Sequence, residues 1–351
     1  MTQNVPALIY QGPRVSGFDQ PSPVGVQRFD RTAALIDGNV NVPNVNVIQV
    51  PNRTCLEGLQ SGVFSAAEFQ MARFVFCRSQ GDPLVAVPVF IDRLFLQRYI
   101  YVRADDPISS LKELRGRRVV LPGYFITASF WHRFFLREAG VKPEEIEWLA
   151  MGAERDPRMK TPDGVKITVV PSKSNGLDLL LSGQADCIMH ESTLIPLPAD
   201  RGRIRRLLPN ILEVESEWFR RTRILPTLHL LVVREEVLKR WPDFGIDLCH
   251  AFDLAKQEMY SWLQSERTTG VPFARDAIDW SLEVCGDDPW PYGVEKNANE
   301  LNQYLDLAFA DGFTTRRLTV EELFDPRALE YQFESRMDTF WESGSAPRVT
   351  G

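Results

Sequence analysis

Residues 108–148 read ISSLKELRGRRVVLPGYFITASFWHRFFLREAGVKPEEIEW, and the order of their signals predicts helix, strand, turn, helix, strand. Ser110 and Glu113 stand at capping-box spacing before a short helix that Gly116 ends. Residues 117–122 are a mostly apolar run of strand length. Gly123 permits a sharp turn, and a helix is predicted over 127–139, stopped by Gly140 and Pro143. The first N–H groups of such a helix have no partner inside it and carry partial positive charge. A ligand carboxylate is therefore expected at this helix start, on Thr127, Ala128 and Ser129, with Tyr124 stacking on the ligand or donating to it.

The same grammar extends in both directions. Downstream, Asn175 caps a short helix that Gly183 ends, and a strand follows at 186–189. Upstream, strands are expected at 7–10, 45–50, 84–90 and 99–102, helices at 29–37 and 54–61, and a loop at 11–25. Pro88 argues against a fully paired central strand at 84–90. Residues 227–233 (TLHLLVV) read as a buried strand. Helices are then expected at 235–240, 243–263 and 297–310, with one more capped by Thr319 and Glu322. Alternating strands and helices predict an α/β fold with mainly parallel sheets. The central region would form its own lobe: residues 1–103 with 227–351 as lobe 1, and 104–226 as lobe 2. Ligands in such folds sit at the carboxyl ends of strands and between domains.

The 351 residues allow about two domains of ~150 residues each. A net charge of −7 offers no support for a nucleic-acid or anionic-membrane partner. Clusters such as Arg201–Arg206 and Arg220–Arg223 read as solvated faces. Five cysteines, an odd number with no Cys-x-x-Cys pair, fit buried thiols in a reducing compartment rather than a disulfide framework. Residues 1–20 lack the features of an export leader, and no stretch approaches a membrane span. A cytoplasmic location is expected.

Several stretches together, FDRTAALIDG (29–38), PVFIDRLFLQRYIYVR (88–103), LKELRGRRVVLPGYFITASFWHR (111–133), LLLSGQADCIM (179–189), RRTRILPTLHLLVVREEV (220–237) and DPWPYGVEKN (288–297), resemble the 4,5-dihydroxyphthalate decarboxylase family. The LKxLxGxxV and LLxSGxAD patterns are shared with type II periplasmic solute-binding proteins and bear on fold. The DRT, TAxxW, LPxxH and WPYG pieces are narrower. The resemblance implies a two-lobed type II periplasmic-binding-protein-like fold with a ligand cleft between the lobes. It also implies a non-oxidative aromatic acid decarboxylase.

Such a reaction must bind carboxylates, protonate the ring carbon that bears the leaving group, and draw electrons into the ring from a phenol. Arg31 and Arg93 are the expected carboxylate clamps, because a guanidinium holds a carboxylate bidentately. His229, in the apolar run, is the expected proton donor to the ring or orienter of a phenol. His190 and Glu191, after the 186–189 strand, are expected at the cleft as further catalytic residues. Glu68 is placed to accept from a phenol, and Trp290 and Tyr292 to close the pocket. His132 is expected on an outward face and His250 in a structural helix. No HExxH or Cys/His cluster is present, so no cofactor is predicted. A divalent metal held by His190, Glu191 and His229 stays open. The expected partners are a small aromatic acid and further copies of this chain. Ligand binding without turnover, or another lyase or hydrolase activity, is the alternative on the same scaffold.

Overall fold

The computed structural model describes residues 23–154, 156–171, 175–190, 202–264 and 269–337. The expected strand at 7–10 and Glu191 lie outside them. In chain order the strands are β1 (Val24–Val26), β2 (Val47–Gln49), β3 (Ala66–Gln70), β4 (Leu84–Arg93), β5 (Ile100–Arg103) and β6 (Arg118–Leu121). They continue as β7 (Glu147–Ala150), β8 (Lys166–Val169), β9 (Cys187–Met189), β10 (Ile204–Arg206) and β11 (Thr227–Arg234). The helices are α1 (Asp30–Ile36), α2 (Asn52–Gln60), α3 (Met71–Ser79), α4 (Thr127–Glu138) and α5 (Gly176–Leu181). After them come α6 (Ile211–Thr222), α7 (Glu235–Arg240), α8 (Phe244–Leu263), α9 (Ala274–Cys285) and α10 (Val294–Ala310). No helix among the described residues is long and apolar enough to cross a membrane.

Two mixed sheets organise these elements. The first has the order β2-β1-β3-β11-β4 and the second β10-β5-β9-β6-β7-β8. In the first, β1 pairs in parallel with β2 and β3, while β11 runs antiparallel between β3 and β4. The Val24–Val26 strand overlaps the end of the loop expected at 11–25. Three residues are too few to show alternation, and Gly25 interrupts them. That glycine is required, because a Cβ there would stand 2.6 Å from the Phe64 ring.

Pro88 lies in an edge strand, and the β4–β11 register shifts between His229 and Leu231, beside it. An edge position and an irregular ladder are where a strand tolerates a missing N–H. The expected lobe boundary at 103 moves. Ile100–Arg103 pairs with β9 and β10 in the second sheet, so the chain leaves the first sheet after Arg93. It returns at Thr227, the start of β11. Residues 319–322, expected as a capped helix, form a turn in which the Thr319 N–H donates to Glu322 Oε2 at 2.7 Å.

The two lobes are joined by α4. It follows β6 of the second sheet, yet Phe130, Trp131 and Phe135 lie in the hydrophobic core of the first. Phe130 stacks on Tyr304 of α10 with ring centres 4.3 Å apart, and the Trp131 indole N–H donates to Thr227 O at 3.0 Å. Arg133 Nε donates to Asp311 Oδ2 at 2.9 Å in a fully buried ion pair. Every residue of α4 from Thr127 to Arg133 is buried, which corrects the expectation for His132. That ring is completely buried against Leu96 O, and burial pulls its pKa down to about 3.

Candidate active site

At its carboxyl edge the first sheet gathers polar side chains that its periodicity otherwise sends inward. β1 runs into Gln27, β2 into Asn52 at the start of α2, and β3 carries Glu68. β4 carries Asp92 just before its last residue, Arg93, and β11 begins with Thr227, Leu228 and His229. Both chain crossovers to the second sheet leave and return here, at the end of β4 and the start of β11. Open α/β sheets bind ligands at this edge.

The DRT motif builds the first part of the site. The Thr32 hydroxyl donates to Gln27 O at 2.9 Å and accepts from the Phe29 N–H at 2.8 Å, which fixes the turn between β1 and α1. Asp30 Oδ1 accepts from Arg31 at its N–H and Nη1, at 2.8 and 3.0 Å. Arg31 Nε donates to Ile91 O. The guanidinium lies over the rings of Phe29 and Trp290, 4.2 and 4.0 Å from their centres, a cation–π sandwich that holds its fork in one plane. Its Nη2 points toward Asp92 Oδ1 at 3.8 Å.

Glu68 is fully buried. It accepts from the Gln27 N–H at 2.8 Å, from Gln27 Nε2 at 2.7 Å and from His229 Nδ1 at 2.5 Å. Glu68 and His229 are diagonal neighbours across β3 and β11, His229 standing opposite Gln70. Burial pushes the Glu68 carboxyl up, but the hydrogen bond and charge of His229, with the two Gln27 donors, more than offset it and leave it below the usual range. A buried carboxylate at Nδ1 fixes the ring and leaves Nε2 as the working nitrogen. Nε2 stands 3.3 Å from the Asn52 side-chain amide.

Asp92 is the second carboxyl at His229, with Oδ2 3.9 Å from Nδ1 and a side chain one-quarter exposed. Its pKa is raised, by burial first and by the neighbouring Glu68, against the opposing charges of His229 and Arg31. Two carboxyls flanking one histidine are thus pushed apart in acidity, the signature of a divided acid–base task. An open hollow of about 470 Å³ adjoins the cluster, lined by Gln27, Arg28, Phe29, Gln49, Val50 and Pro51. A larger hollow of about 620 Å³ lies at residues 204–211 with Tyr101 and Ser109, and shares no residue with the Glu68–His229 cluster. The smaller one shares Gln27, which donates to Glu68, and is the hollow nearest this chemistry.

Other expected site residues lie elsewhere. Arg93 is buried on the opposite face of β4 from Asp92. Its guanidinium donates to Leu225 O, Pro291 O, Asn297 Oδ1 and Glu300 Oε2, at 3.1, 3.1, 2.5 and 3.2 Å. With a side chain 1% exposed it has no face for a ligand, and the clamp role assigned to it is corrected to a structural one. The α4 start is closed as well. Thr127 Oγ1 accepts from the Ala72 N–H of α3 at 3.1 Å, and Thr127, Ala128 and Ser129 are all buried where the two helix starts meet. Tyr124 is a core residue, packed on Phe125 and Trp148 and under the Arg133 guanidinium. Tyr292 is buried against Phe333 and beneath Lys256 Nζ, while Trp290 reaches the site through its stack on Arg31. Glu68 cannot accept from a phenol, because protein donors occupy its oxygens. His190 follows β9 in the second sheet, half-buried, with its N–H on Tyr99 O at 3.1 Å. His250 is exposed on α8, beside the Tyr331 hydroxyl. Among the described residues no three histidine, cysteine or carboxylate side chains are arranged to hold a metal ion. The reading from sequence missed Gln27, Asn52 and Asp92. Asp92 adjoins Arg93 in the VPVFIDR run, and strand alternation puts one of the two on each face.

Comparison with known proteins identifies the family. The chain is 31% identical to the 4,5-dihydroxyphthalate decarboxylase of Comamonas testosteroni over 321 residues, covering 88% of this chain and 97% of that protein. The chain belongs to the 4,5-dihydroxyphthalate decarboxylase family. A Pseudomonas putida protein of the same name is 27% identical to this family member over 207 residues, 56% of this chain and 80% of that one. A family model described as NMT1/THI5 like matches residues 44–163. Among solved structures, the periplasmic aliphatic sulphonate binding protein SsuA from Escherichia coli superposes with a TM-score of 0.54 at 15% identity, covering 88% of this chain and 99% of its own. The ligand-binding component of an ABC-type import system from Staphylococcus aureus gives 0.53 at 14% identity, covering 91% and 99%. This decarboxylase-family member therefore has the two-lobed periplasmic-binding-protein-like fold.

Proposed function

We propose that this chain is a carboxy-lyase that removes CO2 from 4,5-dihydroxyphthalate or a close analogue and leaves a dihydroxybenzoate. The observation that carries the reading is the buried Glu68–His229 pair beside Arg31, at the ligand-binding edge of the sheet, in a chain of this family. In the substrate each carboxylate has a hydroxyl para to it on the ring. Arg31 holds one carboxylate through Nη2, whose nearest carboxylate, Asp92, stands 3.8 Å away. His229, charged over the Glu68 anion, delivers the Nε2 proton to the carbon bearing the other. A positioned acid of this kind contributes roughly 10²–10⁴-fold.

Incubation of the purified chain with 4,5-dihydroxyphthalate should release CO2 and form dihydroxybenzoate in equal amounts. His229→Ala should lose turnover by roughly 100-fold or more while still binding substrate. Tight binding with no CO2 from the wild-type chain would favour the second reading, a ligand-binding protein without turnover, to which the fold of the sulphonate-binding neighbours lends support. Five free cysteines, four of them buried, fit a reducing compartment, and we assign the chain to the cytoplasm on that ground. Fractionation of the native protein tests this.

A further inference from the structure

The decarboxylation proposed above needs a group to take the phenolic proton, and Glu68 is not able to serve. We infer that Asp92 is the catalytic base that accepts the proton of the ring hydroxyl para to the leaving carboxylate. This rests on the decarboxylase reading of the same site.

The geometry separates the two carboxyls by what already satisfies them. Glu68 has a fully buried side chain and takes three donors, two from Gln27 and one from His229. It has no surface on which to meet a ligand. The Asp92 side chain is one-quarter exposed, and the nearest cations, Arg31 Nη2 at 3.8 Å and His229 Nδ1 at 3.9 Å, stand beyond hydrogen-bonding distance. One backbone N–H, that of Arg93, reaches this carboxylate and no side-chain donor does, so it keeps open acceptor capacity between the two cations. A ligand hydroxyl would complete it. The groups facing it are Arg31 from α1, Glu68 from β3 and His229 from β11. Partial burial, with Glu68 beside it, makes Asp92 a stronger base than an ordinary aspartate.

The step balances. Asp92 takes the phenolic proton, and the oxygen lone pair moves into the ring. The para carbon takes the Nε2 proton of the His229 imidazolium, forming a C–H bond and a dienone. The bond to the carboxylate then breaks. Its electron pair restores the aromatic ring, CO2 leaves, and the phenolate recovers its proton from Asp92. His229 regains a proton from solvent. One proton is consumed for each CO2 released.

The test compares the wild-type chain with Asp92→Asn, which keeps shape and hydrogen bonding but cannot hold the proton, and with Asp92→Glu, which restores the base. Folding of each is verified by its urea midpoint. In Asp92→Asn kcat should fall by roughly 100-fold or more, with the affinity for unreactive phthalate unchanged. The loss of activity expected of the wild type as pH falls should disappear. The defect should shrink on ring-halogenated substrates whose phenols are more acidic, and Asp92→Glu should recover part of the rate. An Asp92→Asn chain that keeps kcat within an order of magnitude, or whose defect is the same for every phenol, overturns the assignment. If the wild-type chain itself releases no CO2, the decarboxylase reading has failed instead.

Discussion

Arg93→Met separates a structural arginine from a ligand clamp. The Arg93 side chain is 1% exposed, as is that of its ion-pair partner Glu300. Methionine would fill much of the volume but remove every donor to Leu225 O, Pro291 O, Asn297 Oδ1 and Glu300 Oε2. Glu300 would keep the Thr227 N–H at 2.5 Å and face the interior without a cation. Removing one partner of a buried ion pair costs about 3–5 kcal/mol. Urea denaturation should show that loss as a lower midpoint with an unchanged slope. The double variant Arg93→Met/Glu300→Leu should recover a large part of it, because an apolar pair has no charge to desolvate. Arg31→Met should differ in its effect on substrate. Its charge-assisted contact to a substrate carboxylate is worth about 1.5–3 kcal/mol, so KM should rise by about tenfold to a hundredfold, beside a stability loss from the Ile91 O bond and the aromatic stack, whereas Arg93→Met should leave KM unchanged. An Arg93→Met chain that unfolds at the wild-type midpoint but shows a raised KM would refute the reasoning and return Arg93 to the ligand.

Glu68→Gln tests the buried anion under His229. The folded-state carboxyl lies below the ordinary glutamate value of 4.5, so its contribution to stability is present above that pH and is lost as pH falls through the folded value. The unfolding free energy should therefore fall less steeply below pH 4.5 in the variant, and turnover at neutral pH should drop with that of His229→Ala. Gly58→Ala should destabilise the chain by about 1–3 kcal/mol even though alanine is the better helix former. The new Cβ would stand 2.4 Å from the Phe64 ring, and the clash outweighs the propensity gain, a sign that thermal denaturation reads directly.

Periodicity located the long elements because each shows a full turn or several alternations. The helix predicted over 127–139 is α4, and TLHLLVV is β11. Val24–Val26 escaped because three residues carry no period, and its place between β2 and β3 is set by long-range pairing. The site was half legible. His229 stood out as one polar residue in an apolar strand, and Arg31 as the arginine of a DRT turn. Arg93 was misread because strand alternation alone does not say which of Asp92 and Arg93 faces the ligand edge. That depends on α10, which supplies Glu300 and Asn297 to one face from two hundred residues away. The start of α4 has the local form of an anion site, but Ala72 of α3 reaches it first.

The stack of Trp290 on Arg31 joins the last third of the chain to its first tenth. During synthesis the ribosome would release Arg31, Glu68 and Asp92 long before His229 and longer still before Trp290. Until then the acidic groups of the first sheet lack their imidazole and the guanidinium lacks one of its two aromatic walls. A nascent chain stalled before residue 290 should hold no competent centre, and joining separately made halves should restore one only if β11 finds its slot between β3 and β4.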